Sequence, residues 1–154
     1  MLQALRSRIR HDREDGFTLI ELMVVVLIIA ILVAIAIPTF LGARERAQDK
    51  AAQSDLRNAL TAAKTHYVEG ETYVATAAEL EDIEPSLAYD AAVANATSSV
   101  VGFTGTADVM LMVVQSDSDT WFCIKDDVTA GTFYGSGSAL TAVDTAAECT
   151  GASW

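Results

Sequence analysis

The 154-residue sequence predicts an α+β fold, with one long N-terminal helix packed over its second half on an antiparallel sheet. Three observations point to it. A run of 16 apolar residues, Leu22 to Ile37, is unbroken. Beyond Gly42 the apolar residues recur at helical spacing, and from Val100 onward short β-branched and aromatic runs alternate with Gly, Asp and Ser clusters.

No charge occurs from Leu22 through Ala43. As a helix, that stretch is roughly 33 Å long, the thickness of a bilayer's hydrocarbon core, so it reads as a single transmembrane helix. Ala52, Leu56, Ala59, Leu60, Ala63 and Tyr67 then continue the helix as an amphipathic one, with polar residues between them. From about Phe17 to about Val68 it would be about 78 Å long, more than one small domain can cover. Half of it therefore needs lipid or other subunits. Glu69-Gly70-Glu71 marks its end, with Gly70 as the left-handed residue.

Thr76-Ala-Ala-Glu79 is a capping-box pattern opening a short helix to about Ile83, ahead of Pro85. Ser86 to Ser99 is rich in Ala and Ser and suggests no element. Strands follow at 100–103, 108–115, 120–125 and 132–135, close enough together for an antiparallel meander of about four strands.

The charge is unevenly placed. Residues 65–154 hold one base, Lys125, against 14 acids, while residues 44–64 hold five bases and three acids. So acidic a C-terminal part repels phosphates, and no direct nucleic-acid partner is expected. Arg6, Arg8, Arg10 and Arg13 precede the apolar run and favour an N-in, C-out orientation, against the pull of Arg44, Arg46 and Lys50. A cleaved secretory signal ending near Ala34-Ile35-Ala36 competes, but the run is longer than the usual ~7–15 residues of a signal core. The two cysteines, Cys123 and Cys149, read as one disulfide made in an oxidising compartment, the alternative being two buried thiols.

Glu21 is the lone charge in the apolar stretch. A carboxylate there costs about 2.5–3.5 kcal/mol at the bilayer centre and less near its edge, so it calls for a partner or for snorkelling to the interface. Pro38 removes a backbone hydrogen bond and, with Gly42, marks a weak place in the helix.

Gly16-Phe17-Thr18-Leu19-Ile20-Glu21-Leu22, followed by the apolar run and Pro38, resembles the N-terminal signature of type IV prepilins and of the related pseudopilins of type II secretion. Beyond the first 40 residues or so the resemblance is one of layout. It implies cleavage between Gly16 and Phe17 by a dedicated prepilin peptidase and methylation of the new Phe17 amine. It also implies assembly in which Glu21 meets the Phe17 amine of a neighbouring copy, with local stretching of the helix over Ala30 to Pro38. The domain reading is then a leader over 1–16, a transmembrane and assembly helix over 17–43 and a pilin head over 44–154. The implied partners are membrane lipid before assembly, the peptidase, the pilus assembly machinery and further copies of the chain in an extracellular filament.

Other chemistry finds little support. His11 and His66 are the only histidines, no nucleophile–base set can be built around either, and no enzyme or cofactor is expected. Asp117, Asp119, Asp126 and Asp127 lack EF-hand spacing and read as solvated turn acids, so no metal is expected. Asn95-Ala-Thr97 matches the glycosylation pattern. Trp121, Phe122, Phe133 and Tyr134 read as strand core and sheet edge, and Trp154 as a candidate subunit contact. The sequence reading is therefore a structural pilus subunit, with a type II secretion pseudopilin and a non-polymerising membrane-anchored head as its rivals.

Overall fold

The computed structural model describes residues 16–154; most of the expected leader, including His11, lies outside the described residues. The chain divides into two compact units, Met1–Phe40 and Leu41–Trp154. Helix α1 (Leu19–Gly70) begins in the first and ends in the second.

In the first unit the helix is apolar on every side and none of the membrane-length window is buried. Pro38 lies inside α1 without ending it. Having no N–H, it leaves the Ala34 carbonyl without its helical donor, and next to it the Thr39 hydroxyl donates to the Ile35 carbonyl at 2.7 Å.

In the second unit α1 buries Ala52, Gln53, Leu56, Ala59, Leu60, Ala62 and Ala63. Alanine dominates, so the sheet can come close to the helix axis. The helix ends differently from the expectation: Glu71, not Gly70, takes the left-handed conformation, at φ 53°. Its N–H donates to the Tyr67 carbonyl at 2.7 Å, closing the last turn one residue later than the glycine suggests.

Helix α2 (Ala77–Ile83) opens with the expected capping box, with Thr76 and Glu79 each bonding the other's backbone N–H. The sheet has five strands in the order β1 (Ala88–Asp90), β2 (Val100–Gly105), β3 (Val109–Gln115), β4 (Trp121–Asp127) and β5 (Gly131–Gly137). β2 to β5 form the antiparallel meander. β1 corrects the reading of Ser86–Ser99: it pairs parallel to β2, Tyr89 opposite Val101. In that segment Asp90 Oδ1 accepts from the Ala92 N–H and the Asn95 side chain.

Two cores sandwich the sheet. One lies under α1 and includes Leu56, Ala59, Tyr73, Leu80, Phe103, Met112, Phe122 and Ile124. The other gathers Leu111, Val113, Cys123, Val143 and Cys149. Cys123 and Cys149 are joined in a disulfide, with Cα atoms 6.1 Å apart. Lys125 Nζ donates to the Ala146 carbonyl at 3.0 Å and holds the closing segment from the same side.

Trp154, the candidate subunit contact, also has partners within the head. Its indole N–H donates to the Cys123 carbonyl at 3.0 Å, and its ring packs edge-on against Phe122 and Tyr134. Phe122 is core, as expected, whereas Phe133 carries the Lys125 ammonium over its ring at 4.3 Å.

Candidate assembly interface

The N-terminal end of α1 is built by a second capping box. The Thr18 N–H and hydroxyl both donate to Glu21 Oε2, at 3.1 and 3.0 Å, and the Glu21 N–H donates to the Thr18 hydroxyl at 3.2 Å. The pattern Thr-x-x-Glu is the one read correctly at Thr76–Glu79, and the same spacing was available at Thr18. It is hidden in the sequence because Glu21 stands out as a membrane charge. Glu21 thus has partners within its own chain: its carboxylate satisfies the Thr18 N–H, the Thr18 hydroxyl satisfies the Glu21 N–H, and the charge sits at the positive end of the helix dipole. All its side-chain bonds among the described residues fall on Oε2, so Oε1 remains open to a cation.

Around this cap the surface is apolar. Every large hydrophobic residue from Phe17 to Leu41 is exposed, from 44% at Val33 to 86% at Phe17. Such a surface far exceeds the few hundred Å² that a soluble monomer leaves open. Gly16 precedes it, and among the described residues nothing lies within 4 Å of the place a Cβ would occupy, so the Gly16–Phe17 bond is open on that side. Pro38 sits toward the other end of this apolar stretch, and Gly42 falls in the second unit, where a Cβ would touch only the Arg46 guanidinium, at 3.4 Å.

On the head, the acids divide into two kinds. Asp127 is a turn acid, accepting from the Thr129 N–H and hydroxyl and the Ala130 N–H. Asp126 is not solvated as the sequence reading has it. It is buried, receives the Tyr73 and Thr132 hydroxyls at 2.5 and 2.6 Å, and pairs with Lys64 Nζ at 2.9 Å. Burial pushes its carboxyl up, but the bonds from Thr132, Tyr73 and Lys64 outweigh this and hold it below the usual carboxylate range. Burial, then the bond to Asp126, pushes the Tyr73 phenol well above its ordinary value. This cluster ties α1, the residues after it and two strands together. Strand alternation is the one signal for it: Phe122, Ile124 and Asp126 are buried at alternate positions of β4, but the predicted strand ends at 125. Among the described residues, no group of three or more His, Cys, Asp or Glu side chains could hold a metal ion.

Comparison with known proteins agrees with this architecture. Residues 12–37 match a family profile described as the prokaryotic N-terminal methylation motif. The type IV wide pilus major component PilA4 of Thermus thermophilus is 35% identical over 112 residues, 73% of this chain and 82% of that protein. The type IV major pilin PilA of Myxococcus xanthus is 46% identical over 63 residues, covering 41% of this chain and 29% of that protein. The type II secretion system core protein G of Escherichia coli is 44% identical over 52 residues, 32% of this chain and 36% of that protein. The chain belongs to the type IV pilin family. Within it, the protein is a pilin-like structural subunit.

Proposed function

We propose that this chain is a prepilin, cut between Gly16 and Phe17 by a prepilin peptidase, methylated at the Phe17 amine and polymerised into an extracellular pilus. The observation that carries this is the fully exposed apolar surface from Phe17 to Leu41 with one capped carboxylate at its start. In the cytoplasmic membrane, with the N-terminus inside, lipid covers that surface; in the filament, the helices of other copies do. The role is structural and not catalytic. Exchanging lipid for identical helices keeps every apolar side chain out of water, so assembly needs no unfolding of the head.

Glu21 supplies register. With Oε2 committed to Thr18, Oε1 can take the Phe17 ammonium of the next copy, and an ion pair in a dry bundle favours one axial offset over others. With Pro38 and Gly42 marking the weak place, the helix can lengthen over Ala30 to Pro38 during packing.

A pilus is favoured over a secretion pseudopilus. The match to the wide-pilus component extends through most of the chain, whereas the match to the secretion protein covers about a third of it. A non-polymerising anchored head is separated from both by processing.

Mass spectrometry of the mature protein is expected to find a methylated Phe17 at the N-terminus, and an intact leader overturns the proposal. Glu21→Gln keeps a capping-box acceptor while deleting the charge. It is expected to insert normally and lose filament yield by about a hundredfold or more, since removing one member of a buried ion pair costs about 3–5 kcal/mol. Normal filaments from that variant overturn the register role of Glu21.

A further inference from the structure

The head carries opposite charge on its two sheet edges. Arg46, Lys50, Arg57 and Lys64 follow one another at steps of four, seven and seven residues. At about 100° per residue, they fall within about 40° of one another around α1, a single stripe. Its place is given by contacts: Lys64 reaches Thr132 of β5 at 3.4 Å, Arg57 lies over the Trp154 ring at 4.9 Å, and Lys50 and Arg57 line a cleft with Tyr134 and Trp154. The stripe therefore runs along the β5 edge. Lys64 is engaged by Asp126, whereas Arg46 and Lys50 are exposed and have no acidic partner among the described residues.

The opposite edge of the sheet is β1, with α2 against it. There Glu79, Glu81, Asp82, Glu84 and Asp90 crowd into a short stretch, and no Lys or Arg occurs between Thr65 and Ile124. Asp82 is exposed, and among the described residues the Glu84 carboxylate bonds only Ser86 two residues on.

We propose that the basic stripe beside β5 docks onto the acidic α2–β1 edge of a second copy. This rests on the filament reading and adds to it a contact between heads. Charge complementarity selects the partner: like edges repel, so a two-fold contact is disfavoured and the β5 edge of one copy meets the β1 edge of the next. A contact between two different surfaces of the same chain, when it does not close into a ring, propagates without limit. The same contact offsets part of the mutual repulsion of heads that are each strongly acidic.

The test uses the full chain in cells that process and assemble it. Two pairs of reversals are made, Arg46→Glu with Lys50→Glu and Asp82→Lys with Glu84→Lys, together with the chain carrying all four. Sedimentable filament is measured against membrane-inserted protein with an oxidised head. Each pair alone is expected to lower filament yield by about tenfold, and the fourfold chain to recover at least half of it, because the reversed charges attract again. Wild-type yield from either pair overturns the docking contact and leaves the helix-driven filament standing. A fourfold chain no better than its parents also overturns it, showing that the stripe serves another partner. Absence of filaments from the wild-type chain overturns both proposals.

Discussion

The two halves of α1 are made of opposite materials. From Phe17 to Leu41 the helix presents Leu, Ile, Val, Met and Phe on every side, all exposed, whereas from Ala52 to Ala63 the buried positions are mostly alanine. Bulky residues stand outside and small ones inside, the reverse of what burial alone would favour. The alanine half is shaped by its own sheet, which supplies the large partners Phe103, Met112, Phe122 and Ile124. The bulky half has no such partner among the described residues. One helix thus serves an intramolecular core and an intermolecular one, and side-chain size separates the two.

The sharpest way to break this comparison is to truncate one leucine in each half. Leu56→Ala, at a site with no exposure, is expected to cost the head about 2–5 kcal/mol in chemical denaturation. Leu27→Ala should leave head stability within about 0.5 kcal/mol, since Leu27 is exposed. Equal losses from both would end the division of labour.

Next in size is the disulfide. Cys123→Ser with Cys149→Ser frees a loop with a sequence separation of 26 and is expected to cost on the order of 3 kcal/mol, read as a lowered denaturation midpoint. Asp126→Ala strands the Tyr73 and Thr132 hydroxyls and should cost about 1–3 kcal/mol by the same measurement. The pH profile tests that cluster independently. A carboxyl held below its ordinary 3.8 contributes stability that is full above about pH 4 and is lost as pH falls through the lower folded value. A phenol pushed above 10 contributes stability that is full below about pH 10 and is lost as pH rises beyond it. Denaturation midpoints measured from pH 2 to 11 should fall at both ends, and Asp126→Ala should flatten the acid limb. The smallest effect belongs to the caps: Thr76→Ala should cost about 1 kcal/mol of head stability.

Periodicity made α1, α2 and the meander readable, because each is long enough to show its repeat or opens with a recognisable cap. β1 was not readable. Ala88-Tyr89-Asp90 is three residues long, buries one side chain and owes its existence to β2 beside it. Asp126 differs from its reading as a turn acid because the predicted strand ends at 125, whereas β4 runs on to Asp127 and turns Asp126 toward Lys64 and Tyr73. Thr18 was overlooked although its pattern was present. Within the apolar stretch, the exposure of every large side chain followed directly from the absence of any polar face, the plainest signal in the sequence.

The segment that closes the head lies over the sheet face turned away from α1. Leu111 and Val113 depend on Val143 and on the sulfur bridge for their cover, whereas Trp154 packs against the core under α1 and its indole bonds the Cys123 carbonyl of β4. A chain kept in a reducing environment would have this flap unfastened, with a greasy patch showing beneath it. Such a head becomes safe to concentrate only after its final residues have arrived and its two thiols have met an oxidant.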